Sequence, residues 1–283
     1  MDINKKRCVG CGNCIPWCTM GAIYIANDTK AEINTDECVE CGNCYRSLTD
    51  EGFNPALVRG IRRLLGTFRL LHDAPLDVCP TGALSPPDLK WPRFVRRAFS
   101  DPQAPVTSMQ FDSDTGSPIA AFGGRGTGEI KSNDVTGRLW WGDVGFAIEL
   151  GRPGLGARLS DFEKVTRALA PLDIIFEPQN PLTTLITDIS TGEMVSDVLD
   201  EKVLSAIIEI KTKDDQCATV LAALKNVETR IDTVMSVGIA ARCNPDGFVA
   251  YQQIAQDMGL SLSQNGKSNV GLGKPRYEEG END

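Results

Sequence analysis

Histidine is almost missing from this chain: His72 is the only one in 283 residues. That excludes His-rich metal sites and leaves a single candidate for any Ser–His or Cys–His couple. His72 itself closes an apolar helical pattern, where a helix C-terminal cap accounts for it. Long apolar runs are missing too. None approaches the roughly 20 residues needed to span a bilayer, so no membrane partner is expected. Arg62-Arg63 and Arg96-Arg97 precede no apolar segment and are not export signals. The chain starts Met-Asp-Ile-Asn-Lys-Lys without an apolar signal segment, so a cytoplasmic location is expected.

Nucleotide fingerprints are also lacking. No G-x-G-x-x-G follows a strand, and Gly266-Lys267-Ser268 resembles the end of a P-loop but has Ser261 where the first glycine belongs. Asp112 to Pro118 and Asp188 to Met194 match only the first part of a covalent-flavin string and lack its terminal acceptor. Flavin is therefore expected only through a partner. Net charge is −9, unevenly spread, with the excess of acid beyond residue 100. An acidic body argues against nucleic acid as a partner.

Cysteine, by contrast, is abundant and patterned. The chain reads Cys8-Val-Gly-Cys11-Gly-Asn-Cys14, then Cys18, then Cys38-Val-Glu-Cys41-Gly-Asn-Cys44, then Cys79-Pro80. Thiolates at C-x2-C-x2-C spacing hold three corners of a cubane cluster and leave the fourth to a distant cysteine. Two triplets with two spare cysteines make enough ligands for two [4Fe–4S] clusters. Zinc sites need four ligands each and do not explain evenly spaced triplets. A disulfide framework needs an oxidising compartment.

The pattern is duplicated, since Cys18-Thr-Met-Gly-Ala-Ile and Cys79-Pro-Thr-Gly-Ala-Leu each follow a triplet. This resembles the two-cluster bacterial ferredoxins, in which the fourth cysteine of each half serves the other half's cluster. The resemblance implies one cluster on Cys8, Cys11, Cys14 and Cys79, and another on Cys38, Cys41, Cys44 and Cys18. Gly12 and Gly42 suit a backbone wound tightly round a cluster. The chain departs from that family at Thr19, which replaces a proline, and at the segment Tyr45–Val78, which delays the last cysteine to Cys79.

Within that insertion, 45–78, Asn54 can cap and Pro55 can start a helix whose apolar stripe runs from Leu57 to Leu71. Residues 55–100 are rich in arginine, which leaves two readings open: a solvated basic face, or a docking surface for an acidic electron-donor protein. The expected organisation is a ferredoxin module over 1–86, a linker over 87–118 and an α+β domain over 119–283. In the last, strands are expected at Val144–Leu150, Asp173–Phe176, Leu182–Asp188, Lys202–Lys211 and Ile231–Ala240. Helices are expected at Asp161–Ala170, Asp214–Arg230 and Phe248–Met258. The order β-α-β-β-α-β suggests an α+β sandwich with helices on one sheet face. Cys217 falls at helical spacing with Leu221 and Leu224 and reads as a small buried hydrophobe; Cys243 reads as structural.

Two glycine-rich segments, Phe122 to Arg138 and Gly151 to Arg158, fit either tight turns or a site for an anion or partner. The first, with Val144–Gly154 and the two-cluster module, resembles proteins named 6-hydroxynicotinate reductase. That resemblance implies a ferredoxin-dependent reduction of a hydroxylated pyridine carboxylate. Arg125, Lys131, Arg138 and Arg152 would hold a small anionic substrate, with Glu129 and Asp134 as proton donors. The alternative is a non-catalytic electron-transfer subunit docking a separate catalytic or homologous subunit.

Overall fold

In the computed structural model, the described residues are 1–46, 79, 81–101, 109–111, 118–121, 139–152, 154–178, 180–242, 247 and 249–262. The predicted insertion helix and His72 lie outside them, as do Cys243 and the whole of the first glycine-rich segment. The elements are of mixed helix and strand, as the α+β reading requires.

The N-terminal module is built from two copies of one motif. Strand β1 (Asp2–Ile3) leads through Asn4 to the first triplet, and β2 (Ile23–Ile25) follows Ala22. Strand β3 (Ala31–Ile33) leads through Asn34 to the second triplet, which runs into the short helix α1 (Asn43–Arg46). Strand β4 (Leu84–Ser85) follows Ala83. The pairing is antiparallel, β1 with β4 and β2 with β3, so each half closes on the other. Matching bonds fix the two copies. Asn4 N donates to Ala83 O at 2.8 Å and Asn34 N to Ala22 O at 2.8 Å. The Asn4 and Asn34 side chains accept the Lys6 and Asp36 amides at 3.0 and 3.1 Å, forming the same Asx turn ahead of each triplet.

Helix α2 (Phe94–Ser100) stands where the sequence suggests the start of a linker. Val95, Ala98 and Phe99 enter the core of the following body, and Ser100 Oγ accepts the Leu204 amide at 2.8 Å. The helix leaves little sign in the sequence, because it is short and its polar Arg96 and Ser100 are buried as well, so no clean amphipathic stripe marks it. A hairpin, β5 (Met109–Phe111) with β6 (Pro118–Ala121), follows.

The body centres on β7 (Asp143–Leu150). After it come β8 (Ala157–Arg158), α3 (Leu159–Leu169) and β9 (Ile175–Phe176). A second hairpin joins β10 (Ile186–Asp188) to β11 (Glu193–Met194), and β12 (Lys202–Val203) pairs with β8. Then β13 (Ala206–Lys213), α4 (Cys217–Val227), β14 (Met235–Ala241) and α5 (Ala250–Asp257) complete the described chain. The main sheet is antiparallel, in the order β14-β7-β13-β9. Taking β7, β9, β13 and β14 as first to fourth, the order is 4-1-3-2: a split βαβ repeated twice.

Asp173–Phe176 is reduced to Ile175–Phe176 and Ile231–Ala240 starts only at Met235, and two further predicted strands are interrupted. Thr183–Leu185 is a turn of 3-10 helix before β10, because the Asn180 side chain accepts the Leu182 amide at 2.8 Å and starts a turn there. The run Lys202–Lys211 is divided, its first part pairing with β8 and its second with β7.

Period-2 alternation places Phe146, Ile148, Leu150, Ile208 and Ile210 on one sheet face, against Phe162, Val165 and Leu169 of α3 and Val220, Leu221 and Leu224 of α4. Cys217 is buried in that core at 1% exposure. At the edge of β7, the Asp143 carboxylate is 4% exposed and accepts from Lys213 at 2.8 Å and the Trp140 amide at 3.0 Å. Burial opposes its ionisation, but Lys213, the Trp140 amide and Lys211 outweigh burial and hold the carboxyl below the usual range. A carboxyl depressed by folding adds stability that is complete above the ordinary carboxylate range and disappears as pH falls through the folded value. Asp143→Asn is therefore expected to cost about 2 kcal/mol at neutral pH. Urea unfolding curves of the two proteins should converge as the pH is lowered into the acid range. A difference that persists in acid would show that the charge is not what matters there.

Candidate iron–sulfur sites

Each triplet is wound by left-handed residues at equivalent places. Gly12 and Gly42 both have φ +76°; Gly10 has φ +70° and its counterpart Glu40 φ +58°. The C-x-x-G-A turns match as well. Ala22 N donates to Cys18 Sγ at 3.2 Å and Ala83 N to Cys79 Sγ at 3.1 Å, while Gly21 and Gly82 supply the positive φ. Ala31 N donates to Cys8 Sγ at 3.4 Å. These amides point at sulfur as they would at the thiolates of a cluster.

The structure gathers the cysteines in two sets. Cys18, Cys38, Cys41 and Cys44 line one cavity with Met20 and Ile23, around about 340 Å³ of empty space partly open to solvent. Cys14 lies near enough to Cys11, Cys79 and Cys8 for their charges to act on it. Among the described residues no three His, Cys, Asp or Glu side chains converge as they would on a single metal ion. Thiols that ring a cavity suit a cubane, whose corners lie apart, better than one zinc.

Burial pushes the Cys14 thiol up to about 11. Burial, with the charges of Cys41, Cys18 and Cys38, pushes Cys44 up to about 12. Burial likewise raises Cys38 and Cys41. At Cys79 burial is outweighed by the Thr81 hydroxyl and by the amides of Thr81, Ala83 and Leu84, which hold the thiol below its usual range. Thiols this protonated become ligands only by releasing protons to a strongly bound metal centre.

The module is clamped to the body beside the second set. Arg96, 7% exposed, donates through Nη1 to the carbonyls of Thr35 at 2.6 Å, Asp36 at 3.3 Å and Cys38 at 2.9 Å, and through Nε to Glu201. Arg93 Nη2 donates to Glu40 at 2.7 Å, and the other Glu40 oxygen accepts from the Met1 amino group. Burial disfavours the Glu40 carboxylate, but Met1 and Arg93 more than offset it and keep its carboxyl low. Arg158 pairs with Asp36 at 2.7 Å and Lys202 with Glu37. The second glycine-rich segment belongs to this contact. At Gly156 an added Cβ would sit 2.8 Å from Met20 Cε and 2.9 Å from Val203 O, and one at Gly154 would sit 3.7 Å from Thr19 O.

Sequence reasoning missed this clamp. Arg93 and Arg96 stood out only as part of a basic stretch, and the chain uses both internally. Glu40 was the available signal: it replaces, in the second copy, the glycine that the first copy has at Gly10. Of the residues expected to hold a substrate, Arg152 is exposed on the loop after β7 and pairs with Glu149 at 2.8 Å. Arg125, Lys131, Arg138, Glu129 and Asp134 lie outside the described residues.

A duplicated cysteine motif, amides aimed at sulfur and thiols around a cavity define a ferredoxin-type module with an iron–sulfur electron-transfer role. Residues 1–47 match the family model of a 4Fe-4S dicluster domain. No curated protein and no solved structure matches the chain. Cys79 lies beyond the matched residues. No described helix is long and apolar enough to cross a membrane.

Proposed function

We propose that this chain relays single electrons through two [4Fe–4S] clusters, one on Cys8, Cys11, Cys14 and Cys79 and the other on Cys18, Cys38, Cys41 and Cys44. An electron-donor protein reduces the first, and the second passes electrons toward the α+β body or a catalytic subunit held by it. The observation that carries this reading is the cavity of the second set. It joins Cys18, from the first copy of the motif, to three cysteines of the second copy. When bound, the clusters supply one-electron redox chemistry whose potential the surrounding hydrogen bonds and burial adjust. The chain's own part is to exclude water, to aim the Ala22, Ala31 and Ala83 amides at sulfur, and to hold the two sets in one rigid frame.

Reduction of a small anionic substrate, such as a hydroxylated pyridine carboxylate, is the catalytic version of this reading. It rests on the sequence resemblance and on Arg125, Lys131, Arg138 and Arg152. In this version a flavin belongs only to a partner.

Anaerobic reconstitution tests the proposal. Iron and sulfide should reach two cubanes per chain, and the reduced protein should show two magnetically interacting paramagnets. One cubane's worth of iron, or zinc in its place, would reject the relay. A substrate-reduction assay on the reconstituted chain, alone and with its native partners, separates the reductase from the carrier.

A further inference from the structure

The two cluster sites are not equivalent in their surroundings. The clamps from the body described above all reach the half of the module that carries the second set. Arg96 binds the loop leading to Cys38, Arg158 and Lys202 bind Asp36 and Glu37, and Gly154 and Gly156 back onto Thr19 and Met20. At the first set Cys11 is exposed, and Val9, in the same Cys8–Cys11 loop, is 65% exposed. The second set is the inner site and the first the outer one.

Arg96 is the centre of the inner contact. Its side chain is 8% exposed, so its charge acts through a medium of low polarity. The fork divides its bonds: Nε faces Glu201 of the body, while Nη1 faces three carbonyls of the cluster loop, the last being that of Cys38 itself. A cluster that takes an electron gains negative charge, and a buried cation beside its ligand favours that state. The Glu201 carboxylate, on the body side of the same guanidinium, partly cancels the effect.

Resting on the two-cluster reading, we propose that Arg96 is a positioning residue for the inner cluster: it fixes Cys38 through its carbonyl and holds that cluster's potential up. The body thereby sets the potential of the cluster it touches and leaves the outer one alone.

The test is a redox titration of the reconstituted full chain, followed by electron paramagnetic resonance, after iron and sulfide analysis. Wild-type protein lacking two cubanes would sink the relay itself, independently of Arg96. Given two clusters, Arg96→Gln should lower one midpoint potential, change the spectrum of that cluster and leave the other where it was. Loss of one cubane's worth of iron and sulfide from this variant would also support the assignment, because Cys38 is then no longer held. Glu201→Gln leaves Arg96 on its carbonyls and should raise the same midpoint potential, a change of opposite sign that a purely structural clamp would not produce. Lys202→Gln, which removes a cation that touches no cysteine carbonyl, should lower the same potential by less than Arg96→Gln does and leave the other where it was. Arg96→Gln with full clusters and both potentials unchanged would overturn the proposal. So would Glu201→Gln with unchanged potentials, even if Arg96→Gln failed to fold.

Discussion

Cys18→Ala is expected to empty the site of the second triplet and to leave the first triplet's cluster in place. Cys18 lies four residues after Cys14, so by sequence it belongs to the first copy. In the fold it lines the cavity of Cys38, Cys41 and Cys44, and its sulfur acts on Cys44. A cubane left with three thiolates is no longer anchored at one corner and falls apart, so the variant should retain about half of the iron and sulfide. Cys79→Ala should do the converse, since Cys79 acts on Cys14. In both variants the magnetic interaction between the clusters should vanish, and the surviving signals should differ because they come from different sites. If Cys18→Ala instead removed the signal that Cys11→Ala removes, each copy would close its own cluster and the crossed arrangement would be wrong.

The parts of this molecule legible in its sequence are those whose physics is local. Triplet spacing is local, because a chain of a few residues must wrap three corners of one cluster. The alternation of Phe146, Ile148 and Leu150 is local, and so is the helical spacing of Cys217, Leu221 and Leu224; all were buried as their periods require. The place of Cys79 was legible only through the duplicated C-x-x-G-A string, since 34 residues separate it from Cys44. The Arg96 clamp left no local sign. Its partners lie about 60 residues away in the chain and are backbone carbonyls, to which any residue type could contribute. An arginine among other arginines reads as a solvated face, and only the fold reveals which guanidinium is buried. The glycines at 154 and 156 were ambiguous for the same reason: a turn and a close approach ask for the same residue, and here the close neighbour is Met20 of the chain's own module.

Glu40 shows how the duplication was modified. The two copies need a left-handed residue between the first two cysteines of each triplet, and glycine adopts that conformation without cost. The second copy accepts Glu40 at φ +58°, at a cost of about 1 kcal/mol, and gains a buried carboxylate that reaches Arg93. That exchange ties the inner cluster loop to the segment entering α2. The outer loop keeps glycine at this position, which has no side chain to make such a tie.

At Gly10 the same position permits no side chain, and Gly10→Ala is expected to cost the chain its outer cluster. An added Cβ would stand 2.0 Å from Thr29 O and 3.2 Å from Thr29 C, far inside contact distance, and the neighbouring atoms are backbone. Relief requires the Cys8–Cys11 loop to lift off the turn between β2 and β3. That turn is the seat of Cys8: Lys30 Nζ donates to Cys8 O at 2.6 Å and the Ala31 amide to Cys8 Sγ at 3.4 Å. Left-handed alanine adds about 1 kcal/mol to the displacement, for a total near 3 kcal/mol. The inner site does not share this turn and should keep its iron and sulfide. Glu40→Ala is the matched control. Its Cβ is already accommodated, so the variant should retain both clusters while losing the bonds to Arg93 and to the Met1 amino group. Iron and sulfide analysis of the two variants, purified side by side without oxygen, decides the matter. Full cluster content in Gly10→Ala would mean that the β2–β3 turn can move without disturbing Cys8, and that the outer site is held by its thiolates alone.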